Sequence, residues 1–556
     1  MSCSRSQAQR AFPFLLSFVL LASTSAQQQP SANATLSTGA SSGVLLKEAT
    51  KLYQEGHFDD AIAKFQTVLQ QDSKSGQAYA GAARCLLKQE KVQDALDVAR
   101  KGVSTVPDDP AVHSALGEVL FRKGAIYDAD VEWVKAANSA RPNARAFWGI
   151  SRLDFAMSMY AQGKKHIDHA HELDPQDPEI RLEWIGTLRR PDRIRELEKY
   201  LADVTDDDPK VREALQRRLQ RLKEEGPETN CSLVSPGKHT DIKLEHMMID
   251  AHHLRGYGLS VNINGVSARL LLDTGASGLL INKRIAEKAG IKPVVRGQVS
   301  GFGDNGPAEA YAGYSDSIKV GGLEFQHCRL DVAERRSIVG EDGLVGADVF
   351  GDFLVTLDFP NEKLSLDELP KRPGEAEQAI ALNSEASAEK SSGPLTGTSD
   401  AAAKKDAARS AETVWRWNDR YIAPEMKSFT PIYRFGHELL IPTQINDGPA
   451  RLFMIDTGSV TTLISSDAAA EVTKVHGDPY TTIRGMSGTV KNVKSADNVV
   501  LRFGHFRQQN EDLVSFDLSS LSRSTGTEVS GVLGFTVLRL LTMKIDYRDG
   551  LVDFKY

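Results

Sequence analysis

The chain has 556 residues, 67 basic and 74 acidic side chains, a formal net charge of −7 and 41% hydrophobic residues. That length predicts several domains with real cores, and the apolar content excludes a mainly disordered chain. The acidic balance offers no broad basic surface, so a nucleic-acid partner is not expected.

At the N-terminus, Arg5 and Arg10 precede or flank an apolar stretch from Ala11 to Ala22, and small residues follow through Ser25 and Ala26. This is a secretory signal-peptide pattern over residues 1–26, too short to span a membrane as a stable helix. The expectation is an exported protein, periplasmic or secreted, with no stable membrane span once the signal is removed. Residues 27–41 read as a disordered linker. Beyond them Cys85, Cys231 and Cys328 remain, an odd number scattered across different domains. No disulfide framework or zinc spacing emerges, and buried free thiols are expected.

From residue 42 to 225 the apolar spacing becomes helical, with a repeat of about 34 residues. Gly56, Phe58, Ala61, Ile62 and Phe65 mark the first unit, and Ala95 and Pro107 take the corresponding places one period on. Leu116, Gly117, Gly124, Tyr127 and Ala129 mark the third, and Phe147, Tyr160, Ala170 and Pro175 the fourth. These residues resemble the tetratricopeptide repeat, which implies four stacked units plus a capping helix and a surface for a protein partner. The named aromatic positions are expected to be packing residues, and the charged run Arg212 to Glu225 a solvated cap.

After the repeats the pattern turns to strands. Asp273-Thr274-Gly275 follows Leu270-Leu271-Leu272 and precedes Leu279-Leu280-Ile281; Asp456-Thr457-Gly458 follows Leu452-Phe453-Met454-Ile455 and precedes Leu463-Ile464. An acid at a turn inside apolar strands either finds hydrogen-bond donors or keeps its proton. Other landmarks recur in the same order. Gly-rich tips lie at 300–306 and 484–488, and the apolar-Gly segments Gly343-Leu344-Val345-Gly346 and Gly531-Val532-Leu533-Gly534 come next. The offset drifts from 183 residues at the tripeptides to 188 at Asp358 and Asp546, as small loop insertions produce.

Each β-rich half therefore resembles a retropepsin-like aspartic protease domain. The fold class is multidomain α + β: an N-terminal α-solenoid over 42–225, a first acid-protease-like half over 240–368, a flexible linker over 369–428 and a second half over 429–556. The resemblance implies that Asp273 and Asp456 form a catalytic pair braced by Thr274, Gly275, Thr457 and Gly458. It further implies flaps at Gly301, Phe302 and Gly303 and at Gly485, Met486 and Gly488 that close over a peptide or protein substrate. No cofactor and no metal is implied. Two carboxyls in one cleft share a proton, which lets one activate water while the other donates to the substrate carbonyl. The halves pair either within one chain or with counterparts in a second. The rival expectation is a non-catalytic peptide-binding scaffold that keeps the fold.

Two further patterns carry less. The string Gly301-Phe302-Gly303-Asp304-Asn305-Gly306 fits a dinucleotide fingerprint, but Pro307 and the polar alternation after it predict a hairpin where that fingerprint needs a helix. His252 and His253 lack partners at metal-ligand spacing and read as loop residues. Trp415 and Trp417 mark a return to packing after the linker.

Overall fold

The computed structural model describes residues 41–204, 208–225, 231–234, 239–301, 303–335, 338, 341–372 and 420–556. The expected signal segment, Phe302, Trp415, Trp417 and most of the expected linker lie outside the described residues.

Eleven helices run from Ser42–Gln54 to Pro209–Glu224 among the described residues. Their spacing has a local cause. The side chains of Ser75, Asp109, Asn143 and Asp177, 34 residues apart in turn, each accept a backbone N–H at the start of a helix, satisfying donors that a helix leaves open. The turn inside each unit needs a left-handed residue at the same period: Gly56, Glu90, Gly124 and Ser158 have φ of 82, 61, 73 and 62°. Glycine takes this shape freely, so two units carry it and two bear the strain. The four expected units are followed by three helices, Pro178–Thr187, Arg190–Asp203 and Pro209–Glu224, where a single cap was expected. Tyr127 and Tyr160, expected to pack, are 56% and 51% exposed. Each sits in the first turn of its helix, ahead of the buried stripe.

The inner face of the array is crossed by its own charges. Arg145 meets Asp177 at 2.6 Å, Glu118 at 3.2 Å and also Glu179. Lys88 bonds Glu179 at 2.5 Å, and the Tyr53 hydroxyl donates to it at 3.1 Å. Burial pulls the Arg145 pKa down, but Asp177, Glu179 and Glu118 more than offset this and hold it well above the usual value. The Asp208 N–H donates to the Gln54 carbonyl at 3.2 Å, so the last helix returns to the first.

The first β half forms a nine-stranded sheet and the second an eight-stranded one. A third sheet joins them, with strands in the order Thr430–Pro431, Leu551–Lys555, Thr542–Asp546, Phe353–Asp358, Lys363–Glu368, His239–Lys243. At its centre Leu354↔Asp546 through Asp358↔Thr542 pair antiparallel across the halves. Val355, Leu357, Met543 and Ile545 are fully buried there. The helical body packs on the second half. Phe121 meets Phe435 edge-on at 5.9 Å, Thr527 Oγ1 donates to the Phe121 carbonyl at 2.6 Å, and one core contains Trp133, Ile150, Leu440, Leu452, Met454 and Val532.

Two expectations are corrected. Cys231 and Cys328 form a disulfide, leaving Cys85 as the free buried thiol among the described residues. The chain leaving the helical body lies down as a short strand with Ser232↔Gln326 and Leu233↔Phe325, which carries Cys231 to Cys328. The linker expected over 369–428 is packed at both described ends. Arg372 pairs with Asp549. Arg420 donates to Gly550 O at 2.7 Å and Ile432 O at 3.1 Å, while Ala423 and Met426 are buried against Leu551. These few apolar side chains were too sparse to show as a pattern.

Candidate active site

Each acid turn ends a buried strand. Val266–Asp273 runs parallel to Gly343–Gly346, with Gly346 opposite Asp273, and Ala450–Ile455 runs parallel to Gly531–Leu533, with Leu533 opposite Ile455. The same short strands pair antiparallel with the outgoing Leu279–Asn282 and Leu463–Ser465. Chain is thus packed on both sides of each turn, which explains the unbroken apolar runs around two acids.

The turns meet across the halves. The Thr274 N–H donates to Thr457 Oγ1 and the Thr457 N–H to Thr274 Oγ1, both at 3.0 Å. Each hydroxyl donates in turn to the opposite strand, Thr274 to Ile455 O at 2.8 Å and Thr457 to Leu272 O at 2.9 Å. A Cβ on Gly275 would stand 2.8 Å from Asp456 Cγ, and one on Gly458 2.3 Å from Asp273 Oδ2. Only glycine permits that approach, so each tripeptide's glycine faces the other's acid.

Asp456 is 5% exposed and Asp273 half-buried. Asp273 Oδ1 accepts the Gly275 N–H at 2.9 Å; Asp456 Oδ1 accepts Gly458 and Ser459 N–H at 2.8 and 3.1 Å. The two carboxyls also hydrogen-bond each other. Burial, followed by the opposing carboxyl, pushes Asp273 well above the usual carboxylate range. Burial raises Asp456 as well, restrained by the hydrogen bond from Asp273 and the backbone donors. One proton between two buried acids is the arrangement that results; the aspartic-protease pair is the standard worked case of that rule.

Three neighbours were not found in the sequence. His437, at the turn before Glu438–Ile445, sits near Asp348, the Gly275 backbone and Asp456, and burial lowers its pKa so that the ring is neutral at pH 7. Asp348 accepts the Ser277 hydroxyl at 3.2 Å and the Gly278 N–H at 3.0 Å, bracing the first turn. Tyr547 is buried beneath, its hydroxyl without a partner and its pKa raised by burial and then by Asp348. No motif marks them, because they reach the site from segments distant in sequence.

The expected flap tips meet each other. The first lies between strands Val295–Val299 and Ala308–Val320, and the second is the small hairpin Arg484–Gly485 with Gly488–Thr489. The Gly301 N–H donates to Ser487 Oγ at 3.2 Å, Asn305 N–H to Ser487 O at 2.7 Å, and Lys491 N–H to Asp304 Oδ2 at 2.7 Å. A Cβ on Gly303, whose φ is 125°, would lie 2.4 Å from Ser487 C. Met486 packs with Ala276 and Val299 against Leu271, Leu280 and Leu344, beside the first acid turn. The strand after Pro307 is a hairpin arm, as expected, so the dinucleotide string has no helix to serve it. His253 pairs with Asp250 in a surface loop. His476, Asp497 and Asp512 are close cross-strand neighbours at the surface, with His476 and Asp497 at 3.1 Å. A larger cavity of about 880 Å³ lies on the helical body, lined by Trp148, Tyr160 and Arg218, and contains no group of the acid pair.

Residues 259–349 and 441–537 match the aspartyl protease family model, and residues 52–119 match a tetratricopeptide repeat model. The DNA damage-inducible protein 1 of Chaetomium globosum is 27% identical over 239 residues, which cover 37% of this chain and 52% of that protein. The match spans about half the length of that relative. The crystal structure of an aspartic proteinase from Irpex lacteus aligns with a TM-score of 0.33 at 14% identity, covering 57% of this chain and 96% of that one. A thermophilic tetratricopeptide protein of Thermus thermophilus aligns with a TM-score of 0.27 at 19% identity, covering 33% and 99%. The chain consists of a tetratricopeptide-like helical array followed by two retropepsin-like, mostly β domains.

Proposed function

We propose that this protein is an exported aspartic endopeptidase that hydrolyses peptide bonds with a water activated between Asp273 and Asp456. The observation that carries the reading is the meeting of the two buried carboxyls across the reciprocal Thr274–Thr457 bridge. The charged member takes a proton from water as it attacks the peptide carbonyl; the protonated member donates to the carbonyl oxygen. The tetrahedral intermediate then collapses, and its breakdown delivers a proton to the leaving amine. Asp456 accepts two backbone N–H groups and so supports the negative charge well. Burial in a cleft roofed by the flap tips keeps the like charges poorly screened, which is why one proton stays.

The test is cleavage of a diverse peptide mixture from acidic to neutral pH by the intact protein, beside Asp273→Asn and Asp456→Asn. Loss of cleavage in both variants is expected, by about 10³-fold or more, in line with removal of an acid–base group. Cleavage that survives both substitutions overturns the mechanism; wild-type protein that binds peptides and cuts none at any pH leaves the scaffold reading.

Export is part of the proposal. The apolar segment Ala11 to Ala22 supports it, and so does the Cys231–Cys328 disulfide, since such bonds persist in oxidising compartments. Fractionation of cells expressing the full chain checks this; protein held reduced in the cytosol contradicts it. The helical array, in the same reading, engages a protein partner. Crosslinking of the full chain before and after Tyr160→Ala is the check, and a crosslinking pattern indifferent to that exposed ring counts against it. No helix of the described residues is long and apolar enough to cross a membrane.

A further inference from the structure

Beside the acid pair lies a cavity of about 330 Å³ lined by Arg255, Arg335, Arg484, Val299, Ile338 and Met486. Its apolar side belongs to the cluster that packs Met486 and Val299 with Leu271 and Ala276, two residues before and three after Asp273. Its other wall starts at Arg255, whose neighbour Gly256 has a Cβ position 3.6 Å from the Thr457 carbonyl oxygen. The cavity therefore adjoins the floor where a scissile bond would lie.

Three guanidinium groups are an unusual lining for a subsite next to two acids. Arg335 Nη1 donates to the Met486 carbonyl at 3.0 Å, tying the second flap to the first half. Arg255 Nε is buried with no hydrogen-bond partner. A buried donor left unpaired costs roughly 1–3 kcal/mol, so its retention calls for an acceptor that arrives from outside. Glu341 is the acid that acts on Arg255, and it is shared with Arg269. One shared carboxylate against three arginines leaves the cavity positive.

We propose that this cavity is a specificity subsite for an acidic side chain, Glu or Asp, of the peptide substrate, with Arg255 as the residue that reads the carboxylate and Arg335 and Arg484 completing the positive wall. Arginine presents a planar fork of donors that matches a carboxylate with two parallel hydrogen bonds. Val299, Ile338 and Met486 hold the methylene stem. The proposal rests on the endopeptidase reading for its setting, and deepens it by naming a substrate class.

The experiment uses the full-length protein and amidated peptides that differ only by Glu or Gln at each position flanking a cleaved bond. The wild-type kcat/KM is expected to favour Glu by about 10-fold or more at one position, as sites built around a buried hydrogen-bonding group discriminate. The ratio is expected to collapse in Arg255→Gln and to invert in Arg255→Glu. Because the ratio is read within one preparation, a general loss of folded protein does not imitate the result. Equal cleavage of both peptides, or a Glu preference that persists in Arg255→Glu, overturns the subsite while leaving the endopeptidase reading intact. If the wild type cleaves neither peptide, the endopeptidase reading fails and binding to Asp456→Asn decides the subsite. Tighter binding of the Glu peptide, lost on adding Arg255→Glu, supports the subsite, and equal binding overturns it.

Discussion

At the scale of single residues, the acid pair is costly to the fold in a way that depends on pH. Burial raises both Asp273 and Asp456, so the folded protein holds a proton that the unfolded chain releases above about pH 4. The sign follows: stability is greatest below the unfolded carboxyl pKa and is lost as pH rises through the raised value. Asp456→Asn should therefore raise the melting temperature at pH 7, with the gain shrinking as pH falls toward 4; a gain that is constant across pH would contradict the linkage. The threonines act oppositely. Thr274→Val removes one bond donated to Ile455 O and one accepted from Thr457 N–H, and a loss of ~2 kcal/mol or more in denaturant unfolding is expected. The acid tripeptides were legible from sequence because the chemistry needs a contiguous turn in an apolar setting. His437, Asp348, Tyr547 and Arg255 were not, because each enters the site through tertiary packing and has no motif of its own.

At the scale of elements, the Cys231–Cys328 bond ties the stretch after the last helix to the strand Leu323–Ala333. It closes 97 residues of chain, a loop for which the chain-entropy model gives roughly 4–5 kcal/mol. Cys231→Ser, or reduction of the native protein, should lower the unfolding midpoint, and an unchanged midpoint would show the staple to be energetically idle. The helices were readable because their period is written into apolar residues and turns, while the caps at Ser75, Asp109, Asn143 and Asp177 reinforce it. The number of units was not, since the three helices after Pro175 depart from the 34-residue spacing. The joining sheet was also hidden: the strands at Val355 and Ile545 were seen as equivalents, but periodicity cannot say that equivalent strands lie side by side. Pairing of cysteines failed for the same reason, because the short strand Ser232–Leu233 has no signal in two residues.

At the scale of the whole molecule, the helical array is more than an appended partner-binding module. Its residues share a core with Leu440, Leu452, Met454 and Val532 of the second half, and Ser158 reaches the Tyr547 carbonyl at 3.5 Å. Deleting residues 42–225 should expose that apolar face and yield protein that self-associates or unfolds at lower temperature than the full chain; a monomer as stable as the full chain would show the contact to be dispensable. The joining sheet and the Thr274–Thr457 bridge pair the halves within one chain, so the proposed cleft needs no second copy. That claim and the shared-proton chemistry meet in one measurement: peptide cleavage from pH 3 to 8 by wild type, Asp273→Asn, Asp456→Asn and an equimolar mixture of the two variants. The account predicts activity in the wild type that declines as pH rises past the raised carboxyl pKa, and none in either variant or their mixture. Cleavage by a single variant, or recovery of activity on mixing, would contradict it.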